Sequence, residues 1–301
     1  MNLPRISFAA ALAPLLVSCG GQSLTTVPRA ADAGAPTPAC HAFPMPNPPS
    51  SGLPHPQAYT ALDDGTVRDE VTGLLWQRAV TNVGISHEGA IAACAAKGEH
   101  WRLPTRLELL TLVDFTVGSP GPTIAPVFPD TPPEPFWSAS LYKGDLGDAW
   151  TVSFDIGYSD YGVRNADNLV RCVNEAVSSC PVDPVPAADG DPTHVTDRTT
   201  GLTWQQTLDP RQFSWDDAAK YCAGLGAGWR VPSLLELQTI IDDGYEYPAV
   251  VAAAFPNTPS EDFWTSTPLA DTPGTSWYVD FFYGATDRDV NERLFRVRCV
   301  R

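Results

Sequence analysis

Three tryptophans fix the organisation of this chain. Trp76, Trp101 and Trp137 recur as Trp204, Trp229 and Trp264, at offsets of 128, 128 and 127 residues. The flanking segments agree as well. Thr72-Gly-Leu-Leu-Trp-Gln77 matches Thr200-Gly-Leu-Thr-Trp-Gln205, and Trp101-Arg-Leu-Pro104 matches Trp229-Arg-Val-Pro232. Phe128-Pro-Asp-Thr131 matches Phe255-Pro-Asn-Thr258, and Val170-Arg-Cys-Val173 matches Val297-Arg-Cys-Val300. A near-constant offset across motifs this specific means one unit copied in tandem. Two copies of this length are too few and too long for a solenoid. Each is long enough to close its own core, so two similar domains in series are expected over 58–176 and 193–301, with a linker at 177–192.

The chain opens on a targeting segment that stays out of the fold. Arg5 precedes an apolar stretch from Ile6 to Val17, too short to span a bilayer. It runs into Leu16-Val-Ser-Cys19, which resembles the bacterial lipoprotein signal. That resemblance implies cleavage after residue 18 and lipidation of Cys19, with several acyl chains giving a stable membrane anchor. Gly20 favours the outer membrane by the sorting rule of such proteins. Residues 19–57 are rich in Pro, Ala, Ser, Gly and Thr and read as a disordered tether.

Cysteine usage fits an exported protein. Of seven cysteines, six remain once Cys19 is set aside. Cys94 and Cys172 stand 78 apart in the first copy, and Cys222 and Cys299 stand 77 apart in the second. Six cysteines allow fifteen pairings. The duplication favours Cys94–Cys172 and Cys222–Cys299, which leaves Cys40 and Cys180 for each other. No CxxC occurs and the histidines lack ligand spacing, so neither a metal nor a cofactor is expected. The formal charge of −16 speaks against nucleic acid and anionic surfaces as partners.

Within a copy, a turn and short strand ending in the first tryptophan precede a helix capped by Ser86 or Ser214. Ala90, Ala93 and Cys94, and likewise Ala218, Ala219 and Cys222, give that helix a small-residue face. A second helix follows Thr105 or Ser233, each three residues ahead of a glutamate, so Glu108 and Glu236 read as capping-box residues. Trp150, Val152, Phe154 and Ile156 then alternate with polar residues as a half-buried strand, and Trp277, Val279 and Phe281 repeat the phase. This order predicts an α+β unit, a helix pair packed on a twisted antiparallel sheet.

TGLLWQ, WRLPT with its downstream EL, the Phe136-Trp137-Ser-Ala-Ser140 segment and the closing VRCV together resemble the Lcl C-terminal domain family, over both copies. Trp215-Asp-Asp-Ala-Ala-Lys-Tyr-Cys222 followed by WRVP is also similar to the formylglycine-generating, sulfatase-modifying-factor group. The resemblance implies two C-type-lectin-like domains. The named Lcl protein is an adhesin for sulfated polysaccharides. This chain has no collagen-like repeat ahead of its copies, and both copies are acidic, so the resemblance supports surface binding in general.

The leading expectation is therefore a non-enzymatic, envelope-anchored module binding a glycan or protein. The alternatives are a structural lipoprotein without a small ligand and an enzyme of the formylglycine-generating kind. The last needs a reactive thiol, whereas each repeat cysteine has a structural partner in the expected pairing. The segments expected to vary are loops at 157–165 and 283–293. Tyr158, Tyr161 and Tyr283 are candidates for stacking on sugar, and Arg164, Arg288 and Arg293 for donating hydrogen bonds. Asp155, Asp160, Asp280, Asp287 and Asp289 are oxygen donors of the calcium-binding type. The EPN and WND signatures of calcium lectins are missing, however, and no metal is assigned.

Overall fold

The computed structural model describes residues 43–175, 184–186, 191–244 and 246–301. The leader, Cys19, Cys40, Cys180 and most of the linker lie outside these residues. In the first copy, β1 (Tyr59–Ala61), β2 (Thr66–Asp69) and β3 (Leu75–Gln77) form an antiparallel meander. The turn from β2 to β3 is built around Asp69, whose carboxylate accepts the amides of Val71 and Thr72. Gly73 follows at φ 76°, a left-handed conformation that glycine enters without Cβ strain. The repeated TG of the sequence is thus this turn, and Asp197, Thr200 and Gly201 build it again.

The far edge of the meander is completed from a distance. β8 (Val173–Asn174), the closing VRCV strand, inserts between β3 and β4 (Trp101–Arg102), giving the order β1-β2-β3-β8-β4. A second sheet consists of β5 (Pro135–Leu141), β6 (Asp148–Ser153) and β7 (Ser159–Val163). The second copy repeats the plan. β9 (Pro184–Pro186), β10 (His194–Asp197) and β11 (Thr203–Gln205) are extended by bridges from Val300 to Trp204 and Arg230. Its other sheet is β12 (Asp262–Pro268), β13 (Thr275–Asp280) and β14 (Thr286–Val290).

Four short α-helices, α1 (His87–Ala95), α2 (Arg106–Leu110), α3 (Trp215–Gly224) and α4 (Leu234–Gln238), and one 3-10 turn at Pro49–Ser51 complete the described structure. Ser86 and Ser214 cap α1 and α3, and Thr105–Glu108 and Ser233–Glu236 form complete capping boxes. Only part of the expected small-residue face is used. Ala90, Cys94, Ala218 and Cys222 are buried, while Ala93 and Ala219 face solvent. The second helices are also shorter than the apolar pattern suggests, because Val113 and Ile241 leave the helix to bridge Ile124 and Val250. The α+β architecture is as expected, but mostly of small antiparallel sheets with few helices. Both helices of a copy pack on strands rather than forming a joined pair.

The disulfides Cys94–Cys172 and Cys222–Cys299 tie α1 and α3 to the closing strands, with Cα separations of 5.4 and 5.5 Å. Around each lies a small private core, with Leu103 and Trp137 in one and Val231 and Trp264 in the other. The larger core is common to both copies, running from Trp76, Leu109 and Phe136 through Phe115 and Trp277 to Trp204, Phe255 and Phe263. Phe115 meets Trp277 edge to face at 5.6 Å. Burying one such ring stabilises by about 2–3 kcal/mol. The two sequence repeats therefore sit in one compact unit, and neither closes its main core alone.

Candidate functional site

Most of the residues that make the two copies recognisable are spent on the frame. Arg102 donates to both oxygens of buried Glu108, at 2.7 and 2.8 Å, and Arg230 does the same to Glu236 at 2.6 and 2.7 Å. Each glutamate also accepts the amide of its N-cap residue, Thr105 or Ser233, at 2.8 Å. One carboxylate thus anchors the WR strand and caps the helix. Arg171 and Arg298 are fully buried. Arg171 donates to the carbonyls of Gln77 and Arg78 and to Thr131 Oγ1, over the ring of Phe128. Arg298 repeats this with Gln205, Gln206, Thr258 and Phe255. Burial lowers both guanidinium pKa values to about 9, so both remain charged at neutral pH.

His87, which has no histidine counterpart, has a structural one. Its Nε2 donates to the Ser138 carbonyl at 2.9 Å while Nδ1 accepts from Arg164 at 3.3 Å. At the matching position Trp215 donates its indole N–H to the Thr265 carbonyl at 2.7 Å. Burial lowers the His87 pKa, in keeping with a neutral ring.

Several side chains that differ between the copies lie where the copies meet. The segments expected as loops at 157–165 and 283–293 are largely the edge strands β7 and β14. They pair with β6 and β13, which supply the main-chain partners that make polar, glycine-containing stretches extended. β7 and β14 face each other, and the Ser159 amide donates to Thr286 Oγ1 at 2.8 Å. Beside them Arg106, 3% exposed, lies 4.0 Å over the ring of Trp150 and donates to the Gly284 carbonyl at 2.7 Å. It pairs with Asp243 of the second copy at 2.7 Å. Gln238 donates to the same carbonyl at 3.1 Å.

Over this polar knot lies a run of aromatic rings. Tyr142 and Tyr161 stack at 3.7 Å, nearly parallel, and both meet Trp150 edge to face. Tyr283 stands 5.9 Å from Tyr142 and 6.0 Å from Tyr161. Tyr247 and Phe282, 4.2 Å apart, end the run toward solvent. The Tyr142 phenol has its pKa raised, first by burial and then by the neighbouring Tyr161 phenol and Glu246 carboxylate.

Of the six candidate contact residues, the structure brings four to this seam. Tyr161 and Tyr283 belong to the aromatic run, and Tyr158 packs on the shared core close to the charges of Asp287 and Arg288. Arg164 is elsewhere, beside His87, Glu88 and the Leu146 carbonyl. Arg293 pairs with Asp289 at 3.0 Å, in an open groove of about 620 Å³ that is also lined by Asp262, Tyr278 and Phe295. Sequence reasoning missed Tyr142, Tyr247 and Phe282. A signal was present, since Tyr247 and Phe282 stand where the first copy has Gly121 and Asp155.

A second cavity, about 640 Å³, lies between residues 48–53 and the second copy, walled by Phe115, Ala219, Trp229 and Pro268. Among the described residues no group of three or more His, Cys, Asp or Glu side chains is arranged to hold a metal. No described helix is long and apolar enough to cross a membrane.

Fold, disulfides and seam together define an α+β protein made of two copies of one disulfide-pinned unit. The model of the Lcl C-terminal domain matches residues 65–174 and again 193–301, and the chain belongs to that family. No curated protein matches it.

Proposed function

We propose that this is a non-enzymatic binding protein of the bacterial cell envelope, held by lipid on Cys19 and recognising a glycan or protein. In this reading each copy is a C-type-lectin-like frame, and the outer membrane carries the anchor. The observation that supports it is the division of labour between shared and divergent residues. The shared Trp, Arg, Glu and Cys side chains are mostly buried and bonded within the frame. Several of the divergent positions are instead exposed or half-exposed and lie near the seam, where Gly121 corresponds to Tyr247, Asp155 to Phe282 and Tyr161 to Arg288. A fixed scaffold with divergent surface groups is how one fold serves different ligands.

Two experiments test the reading. Radiolabelled palmitate should label the wild-type chain and not the Cys19→Ala variant, which should be released from the membrane fraction. The soluble mature chain, screened on a glycan array and against envelope proteins, should bind a discrete ligand. A chain that binds nothing of either class leaves a purely structural lipoprotein as the better account.

A further inference from the structure

The outermost part of the aromatic run is built differently from the rest. Tyr247 is 52% exposed and Phe282 37%, whereas Tyr142 beneath them is buried. Tyr247 also sits at φ 57°, in the left-handed region where a large L-residue is strained. The first copy places Gly121 there, at φ 58°. The correspondence holds in the bonding. The backbone amides of Asp114 and Asp242 donate to the carbonyls of Thr123 and Ala249, two residues beyond Gly121 and Tyr247 respectively. At Gly121 a Cβ would come within 2.6 Å of the Phe154 carbonyl oxygen, so the first copy has no room for a side chain. The second copy makes room and puts an aromatic ring on the surface, at a position where glycine would be the relaxed choice. The Tyr247 amide donates to the Phe282 carbonyl at 3.1 Å, which fixes the two rings relative to each other. Tyr283 supports both from below, at 5.8 and 4.5 Å. Strain kept in place by surrounding contacts, with its side chain directed outward, is characteristic of ligand clamps.

We propose that Tyr247 and Phe282, backed by Tyr283 and flanked by the Glu246 carboxylate, form a stacking platform for sugar rings of a neutral glycan. The proposal rests on the binding reading above and narrows it to a site and a ligand chemistry. Aromatic faces take the C–H face of a pyranose. A carboxylate and phenol hydroxyls at their rim accept from, and exchange hydrogen bonds with, its hydroxyl groups. The same carboxylate, on a chain of net charge −16, repels sulfated and uronate-bearing chains. Size also favours a sugar. Two partly exposed rings cover far less than the roughly 800 Å² that each partner buries in a stable protein interface. Tyr161 is left with a supporting part, because one of its faces is covered by Tyr142.

The test uses the mature chain with both copies and its tether, in affinity electrophoresis through gels containing neutral β-glucan, mannan, galactan or xylan, with heparin as the anionic control. At least one neutral polysaccharide should retard the wild type, and heparin should not. Tyr247→Gly, which restores the residue of the first copy, and Phe282→Ala should each weaken that retardation about tenfold or more. Tyr247→Gly should raise the melting temperature by relieving the strained φ, and Phe282→Ala should leave a single cooperative transition at a modestly lower temperature. Unchanged retardation of both variants would overturn the platform while leaving glycan binding intact. Retardation of the wild type by heparin alone, or by no polysaccharide, would overturn the neutral-glycan assignment. The broader binding reading is then decided by the screen against envelope proteins.

Discussion

Arg106 of the first copy and Asp243 of the second stand 2.7 Å apart, and they are unequally buried, with side chains 3% and 27% exposed. The guanidinium has given up its water; the carboxylate has given up only part. The cost of breaking the pair therefore depends on which partner is removed.

Asp243→Ala strands a buried cation and is expected to cost about 2–3 kcal/mol, at the low end for a buried pair because the Gly284 carbonyl still accepts from Arg106. Arg106→Leu should cost less, since Leu234 fills the matching position of the second copy and the abandoned carboxylate can reach water. Urea unfolding of the two variants checks the order. Equal losses would mean that the pair acts only through packing.

Gly284→Ala should destabilise by about 2–4 kcal/mol. Its φ is 93°, and an added Cβ would lie 2.5 Å from Ile241 Cγ2 in the packed interior. Gly157, its counterpart at φ 90°, faces Val113 and Phe115 as closely and should behave alike. Thermal unfolding of the two alanine variants is the measurement, and a loss at one glycine only would show that the copies relax differently.

Asp262 carries a pKa raised to about 6, first by burial and then by Asp280, Asp287, Asp289 and Glu261. The folded state thus holds this proton more tightly than the unfolded chain does. The stability it contributes is complete below about pH 4, the ordinary carboxylate range, and is lost as pH rises through about 6. Asp262→Asn should raise the melting temperature at pH 7 and leave it unchanged near pH 3.5. A gain of equal size at both pH values would contradict this linkage.

Loss of one internal disulfide should cost about 4 kcal/mol by loop-entropy arithmetic. Cys222→Ala with Cys299→Ala is the cleanest variant. Because the main core is shared, its unfolding should remain a single transition. Two separated transitions in calorimetry would show that the copies unfold independently.

Local rules made part of this fold legible. Ser or Thr three residues ahead of Glu needs only one helical turn to become a capping box, and both boxes formed. Cysteine spacings of 78 and 77 in the two copies point to the two bridges found. The alternating run at Trp150 and Val152 is a strand, although it stops at Ser153, before Phe154 and Ile156, where a turn takes over. What stayed hidden depends on partners distant in sequence. Residues 159–163 and 286–290 are polar and become strands only because β6 and β13 offer a register. Arg171 and Arg298 look like surface cations until the carbonyls of Gln77 and Gln205 are placed beside them. Tyr161 and Tyr283 read in the sequence as residues of two separate loops, and their meeting requires both copies. No local pattern announces that surface.

The facing of β7 and β14 has a consequence for how such a chain arises. An outer strand with no neighbour is an invitation to stick to other molecules. Here each copy turns that side toward its sibling, and Phe115 and Trp277 hide their greasy faces in the same act. A gene encoding one copy would make a half-molecule with an open flank, forced to find a twin in solution. Duplication placed the twin on the same chain. It also freed the second half to drift away from the symmetry that a true twin would impose.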